Sequence, residues 1–199
     1  MFSKRIARSI LFSALFCVQA WAGGPGDTIV DFPNADCVEI LTLPQGAFPH
    51  EIEVVIDPGR VVSWETFVEQ YPPFSIALDG FVGAPTNRDL FGPRANFDHH
   101  TGSDRLATRS TSEQVHLEIN MGLLERFRQR GRTKARLFIN DCDQDTAMAI
   151  WLMVNSHRVR NHVDPAVTRL INTMGLQDTT GGMYPFGNTP QIRKNAWVF

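Results

Sequence analysis

The chain has 199 residues and a formal net charge of −2, with 43% hydrophobic and 20% charged residues. These values exclude an intrinsically disordered chain and suit one domain of ordinary size with its own core. The nearly neutral charge gives no electrostatic reason to expect duplex DNA as a partner.

The first 22 residues have the pattern of a secretory signal peptide. Lys4 and Arg5 give a positive start, residues 10–18 are apolar, and Ala20-Trp21-Ala22 offers small residues for cleavage. The apolar part is too short to form a stable membrane anchor. We therefore predict export to the periplasm or out of the cell. A cytoplasmic location is the alternative if the start codon is misassigned.

The rest of the chain alternates predicted strands with predicted helices. Residues 23–50 are rich in Pro, Asp and Gly and are expected to be irregular, as is the loop at residues 80–93. Strands are predicted at residues 51–56, 74–79 and 135–140, and helices at residues 63–71, 110–130, 146–155 and 165–174. This alternation predicts an α/β fold with a mostly parallel sheet and helices on both faces.

Three aspartates lie where such folds usually bind ligands, at the carboxyl ends of strands. Asp79, Asp98 and Asp141 each lie at or just after a predicted strand end. Because these ends meet at one edge of a parallel sheet, we expect the three carboxylates to share one site.

Asp98 is followed by His99 and His100, and carboxylate with imidazole suits Mn²⁺, Mg²⁺ or Zn²⁺. A histidine in a loop can also be solvated or hydrogen-bonded to the backbone. Adjacent histidines are expected to point in different directions, so that one meets a given metal and the other orients a ligand or donates to a phosphate.

Asp141, Asp143 and Asp145 form a second acidic cluster before a predicted helix. A helix cap accounts for one or two of these carboxylates, and three close carboxylates repel one another unless a cation offsets them. Both helix capping and the binding of a hard cation remain open for this cluster.

Arg105 and Arg109 follow the histidines and precede Ser110, Thr111 and Ser112 at a predicted helix start. A guanidinium matches phosphate oxygens, and a helix N-terminus attracts anions. A solvated loop with an ordinary cap is the alternative. We favour it slightly for Arg105, and Arg109 remains the candidate for binding substrate.

Cysteine and serine patterns point to no other chemistry. Cys37 and Cys142 lack the paired spacing of a zinc finger, and whether they form a disulfide stays open. We expect Cys142 to be buried. A serine hydrolase is the least favoured class because the chain has no Gly-x-Ser-x-Gly motif.

Taken together, these motifs resemble the DHH phosphoesterase superfamily, whose signature is the triplet found at residues 98–100. Asp141-Cys142-Asp143 resembles its Asp-x-Asp motif, Asp79 its isolated aspartate, and residues 175–181 its late Asp-Thr-Gly motif, which contributes Asp178. The resemblance covers about residues 74–182. Residues 51–199 are therefore expected to form a DHH-like α/β domain.

The resemblance implies hydrolysis of a phosphoester or phosphoanhydride bond with Mn²⁺ or Mg²⁺ as cofactor. It implies metal ligands at Asp79, Asp98, Asp141, Asp143 and Asp178, catalytic roles for His99 and His100, and substrate binding by Arg109. The expected partner is a small phosphorylated substrate or a short single-stranded nucleotide.

Two departures from the family leave a second function open. The Asp-x-Asp motif follows the triplet here, although it precedes the triplet in most members. We also expect the family's C-terminal substrate domain to be absent from these 199 residues, as in a truncated chain. The alternative is a non-catalytic exported α/β domain that binds a divalent cation or a small ligand.

Overall fold

A computed structural model describes the backbone of residues 39–42 and 50–183, with side-chain environments from residue 51 onward. The predicted signal peptide, Cys37 and the residues after 183 lie outside the described residues. The strands are β1 (Glu39–Thr42), β2 (His50–Ile56), β3 (Ser75–Leu78), β4 (Asn87–Arg88), β5 (Arg94–Phe97), β6 (Arg128–Gln129) and β7 (Arg132–Ile139). The helices are α1 (Trp64–Gln70), α2 (Thr111–Asn120), α3 (Leu123–Arg126), α4 (Gln144–Val154) and α5 (Pro165–Thr179).

Four parallel strands form the centre of the sheet, in the spatial order β2, β7, β3 and β5. β1 and β4 pair antiparallel at the two edges, and β6 pairs antiparallel with the start of β7. The prediction of a mostly parallel α/β sheet is therefore confirmed. In register, Ile56 lies beside Ile139, and Leu78 lies beside Phe97. The carboxyl ends of all four strands consequently meet at one edge.

Side chains alternate between two cores because successive residues of a strand point to opposite faces. In β7, Leu137 and Ile139 pack with residues of α2, α4 and α5, whereas Phe138 packs on the other face with Phe67 of α1 and with Phe81. Helices thus cover both faces of the sheet. Among the described residues, no helix combines the length and apolar character needed to cross a membrane.

The predicted helix over residues 110–130 was wrong beyond Asn120. Gly122 has a left-handed backbone with φ 92°, which ends α2, and the positive φ values of Arg130 and Gly131 (50° and 82°) form the turn between β6 and β7. The apolar repeat behind the prediction is nevertheless buried, at Val115, Ile119, Leu123 and Phe127. The apolar residues keep a helical spacing beyond the end of α2, although the chain there forms the short helix α3, the strand β6 and a turn.

Other boundaries also differ from the sequence prediction. β1 lies in the segment expected to be irregular, and neither β4 nor β5 was predicted. α5 continues through Gly175, which the sequence suggested as its end. A Cβ at this glycine would lie 2.5 Å from Glu113 Cδ. Gly175 therefore permits close approach of α5 to the start of α2, which matters because α5 carries Asp178.

Phe67→Ala is expected to lower the free energy of unfolding by about 3–5 kcal/mol, because the ring is fully buried at the centre of the second core. Denaturant titration followed by circular dichroism measures the loss. Phe91→Ala is the matched control, since Phe91 is 98% exposed, and it should change stability by less than about 0.5 kcal/mol. Equal losses in the two variants would contradict a core on both faces.

Candidate metal centre

Asp79 lies where β3 ends, in a left-handed conformation with φ 51°, and Gly80 follows with φ 86°. A positive φ at a residue other than glycine is strained and is often found at functional sites. The Asp79 side chain is 5% exposed, so it lies inside the protein at the carboxyl edge of the sheet.

Both carboxylate oxygens of Asp79 accept hydrogen bonds. Thr111 Oγ1 donates to Oδ1 at 2.8 Å and Thr146 Oγ1 to Oδ2 at 2.9 Å, and His100 Nε2 lies 3.0 Å from Oδ1. Burial alone would raise the pKa of Asp79, but the hydrogen bonds from His100, Thr111 and Thr146 outweigh it and hold the pKa at about 2. Asp79 is therefore a fixed negative charge.

Asp98 shapes the histidine turn rather than joining the cluster. Its buried carboxylate accepts hydrogen bonds from the backbone N–H groups of His100 and Thr101, at 3.0 and 3.1 Å. Its carbonyl oxygen accepts from Thr86 Oγ1 and Gln114 Nε2. The structure thus uses this predicted metal ligand to present the two residues that follow it.

The histidine turn brings both imidazole rings to the same side, with their centroids 4.3 Å apart. Nε2 of His99 lies 3.6 Å from Asp79 Oδ1, and Nε2 of His100 lies 3.0 Å from the same oxygen. The expectation that the rings point in different directions was therefore wrong. That expectation covered a strand or a turn alike, but in this turn the Asp98 carboxylate accepts from the N–H groups of His100 and Thr101 and both rings face Asp79.

His99 is fully buried, yet neither of its nitrogens has a hydrogen-bond partner among the described residues. Its Nε2 lies 2.7 Å from Asp178 Oδ2, but the two atoms are not aligned for a hydrogen bond, and that oxygen also has no such partner. Buried polar atoms are normally satisfied. Atoms that bind one ion at about 2.0–2.2 Å are themselves roughly 3–3.5 Å apart, which is close to the separations around His99 Nε2.

Asp178 near the end of α5 completes this side of the cluster. Arg105 Nη2 donates to Asp178 Oδ1 at 2.8 Å and to its backbone oxygen at 2.9 Å. The Oδ1 atom of Asp178 is thus paired with the Arg105 guanidinium, and its Oδ2 atom faces His99. Of the predicted site residues, Asp79, His99, His100 and Asp178 are brought together in this way.

Asp145 belongs to the cluster, although sequence reasoning treated it only as part of an acidic run. It is 1% exposed and accepts hydrogen bonds from the backbone N–H and the hydroxyl of Ser112. Burial, followed by the negative charge of Asp79, raises the pKa of Asp145 to about 7. Asp143-Gln144-Asp145 is also an Asp-x-Asp sequence, and its position at a helix start was the available signal.

Asp141 and Asp143 lie at the rim. They line an open pocket of about 410 Å³ together with Asp79, His100 and Asn140. Asp143 caps α4 by accepting from Thr146 N at 2.8 Å, and burial and the charge of Asp79 raise its pKa. Asp141 is exposed and accepts from Cys142 N. Within the acidic run, Asp143 therefore caps the helix, as the capping hypothesis expected. Asp145 instead lies in the buried cluster, where the hypothesis of cation binding stays open.

Two predicted side chains lie away from the cluster. Cys142 is exposed rather than buried, because residues 141–144 form the surface approach to α4. Arg109 is also exposed, and the described contacts of this residue are a backbone bond to Gln114 and a charge effect on His116. Arg105 contacts Asp178 instead.

The cluster contains two overlapping groups of possible metal ligands that share the buried His99. One contains Asp79, His99 and His100, and the other contains His99, Asp145 and Asp178. Within each group the donor atoms lie within 4.8 Å of one another. Imidazole with carboxylate suits Mn²⁺ or Zn²⁺ better than Mg²⁺, which prefers oxygen and water. The residues present therefore fit a divalent transition metal.

Comparisons of the chain with protein-family models, curated proteins and solved structures found no match.

Asp145→Asn is expected to stabilise the metal-free protein above neutral pH. The folded pKa of Asp145, about 7, exceeds the ordinary value of 3.8, so folded protein retains a proton that unfolded protein releases between these values. The free energy of unfolding therefore falls as pH rises from about 4 to about 7, and the whole loss due to Asp145 is present above that range. In EDTA, the variant should melt about 3 °C or more above wild type at pH 8 and close to wild type at pH 4.

The melting temperatures of both proteins at these two pH values test the sign. Two results would contradict a raised pKa at Asp145. One is a variant that melts below wild type at pH 8, and the other is a variant that melts above wild type by the same margin at both pH values.

Proposed function

We propose that this chain is a metal-dependent hydrolase of a phosphoester or phosphoanhydride bond, similar to DHH phosphoesterases. The observation that carries the proposal is His99, a fully buried imidazole whose Nε2 converges on Asp178 Oδ2 and Asp79 Oδ1 without hydrogen-bonding to either. Mn²⁺ is the cofactor that we favour, because it accepts both imidazole and carboxylate ligands, whereas Mg²⁺, the other ion that the resemblance implies, fits the imidazole less well. A small phosphorylated molecule or a short single-stranded nucleotide is the proposed substrate.

The chain's own residues divide the work of such a site. Asp79, His99, Asp145 and Asp178 would hold the ion, which when bound lowers the pKa of water and stabilises charge on phosphoryl oxygens. His100 lies at the pocket, with its side chain 34% exposed. The hydrogen bond to Asp79 raises the pKa of His100, so this imidazole can carry a proton to a phosphoryl or leaving-group oxygen.

One observation favours the second candidate, a domain that binds a cation without turnover. The described residues that line the pocket include three aspartates but no lysine or arginine. A carboxylate-rich rim attracts cations and repels anionic substrates. Metal binding is common to both candidates, and only turnover separates them.

His99→Gln is expected to weaken Mn²⁺ binding at least about tenfold, because it removes the nitrogen shared by both ligand groups. Isothermal titration calorimetry of the purified protein measures the affinity. His162→Gln, at an exposed residue, is the matched control and should bind like wild type. Because His99 is buried, Asp178→Asn provides a second test. Unchanged Mn²⁺ affinity in both site variants would contradict the proposed metal centre.

Full-length protein loaded with Mn²⁺ is expected to hydrolyse at least one of three substrates: a chromogenic phosphodiester, pyrophosphate or a short oligonucleotide. Release of phosphate or chromophore is measured with and without EDTA, and EDTA should abolish it. Tight Mn²⁺ binding with no turnover of any of the three would favour the binding domain over the hydrolase.

A further inference from the structure

We infer that Arg105 is the residue that binds the anionic group of the substrate. This inference rests on the proposed function and adds to it the cation that the pocket lining lacks. The sequence alone favoured Arg109 for this role, but the two arginines differ in what they contact.

Arg105 is fixed beside the candidate metal centre. Its Nη2 donates to both the carboxylate and the backbone oxygen of Asp178, and Asp178 Oδ2 in turn lies 2.7 Å from His99 Nε2. The Asp178 carboxylate therefore bridges the guanidinium and the buried imidazole. An oxyanion bound to a metal ion at His99 and Asp178 would therefore lie close to this guanidinium.

Arg105 also keeps donors free for a ligand. Its hydrogen bonds within the described part of the chain use Nη2, which leaves Nη1 without a partner there, whereas Nε is buried. The side chain is 41% exposed, so solvent and small solutes reach it. A guanidinium has five N–H donors in a planar fork that matches phosphate oxygens.

The candidate metal centre links Arg105 to the pocket. Asp178, which Arg105 contacts, has its Oδ2 2.7 Å from His99 Nε2, and that nitrogen lies 3.6 Å from Oδ1 of Asp79, a residue that lines the pocket. Arg109 lacks such a link among the described residues. Its side chain is exposed, and its backbone oxygen accepts a hydrogen bond from Gln114 Nε2.

The inference commits to an anion of phosphate size. Arg105 stands on the Asp178 side of the centre, and the open pocket lies on the His100 side. A phosphoryl group bound to a metal ion at this centre would meet a guanidinium that pairs with Asp178 Oδ1 and so leaves Asp178 Oδ2 for the metal. Arg105 is therefore a substrate-binding residue, and Asp178 positions it.

The test uses inorganic phosphate as the probe and full-length protein saturated with Mn²⁺. Arg105→Ala should weaken phosphate binding about 10- to 100-fold, because it removes a charged hydrogen-bond donor, while Mn²⁺ affinity changes less than about threefold. Arg105→Lys should retain part of the phosphate affinity, since it keeps the charge. Arg169→Ala, an exposed site on α5, removes the same charge and should leave phosphate affinity unchanged.

Three results would overturn the inference. Phosphate affinity equal to wild type in Arg105→Ala would do so, as would a loss in Arg109→Ala instead. An equal loss of Mn²⁺ and phosphate affinity in Arg105→Ala, with no rescue by lysine, would show that Arg105 only holds Asp178 in place. Wild-type protein that binds Mn²⁺ but not phosphate overturns the inference and leaves the metal centre intact, whereas failure to bind Mn²⁺ overturns the proposed function itself.

Discussion

The burial of several carboxylates around one imidazole is the constraint on which the rest of this structure depends. In a medium of low dielectric, close negative charges must be neutralised, hydrogen-bonded or paired with a cation. The chain uses all three solutions. Asp79 is hydrogen-bonded by threonines at the starts of α2 and α4, Asp145 has a pKa near neutrality, and Asp178 is paired with Arg105. His99 is the group left without such a solution, which is why it identifies the site.

The supporting elements follow from this constraint. Three local features bring polar side chains to the same edge of the sheet. The left-handed end of β3 places Asp79, the turn closed by Asp98 places both histidines, and the glycine that lets α5 approach α2 places Asp178. Each of these features is local, but together they bring the ligand atoms of each group within 4.8 Å of one another. Two helix N-termini face the same volume, and their dipoles favour negative charge there.

Sequence reasoning found the α/β class, the strands β2, β3 and β7, and the triplet, because periodicity and strand-end aspartates are local signals. It assigned metal binding to Asp98 and Asp141, which the structure places in a backbone turn and at the exposed rim. Spacing alone cannot tell a carboxylate that accepts backbone hydrogen bonds from one that points into a cluster. Asp145 was missed for the same reason, since its burial depends on how α4 packs against Ser112.

The position of β7 has a consequence for how the protein is made. It is the last parallel strand among the described residues, yet it lies between β2 and β3 and joins the two halves of the sheet. Until β7 has been synthesised and has left the ribosome, β2 and β3 each have an unpaired edge. Such edges readily pair with strands of other chains. The nascent protein therefore passes through an aggregation-sensitive stage that ends when β7 is inserted between β2 and β3.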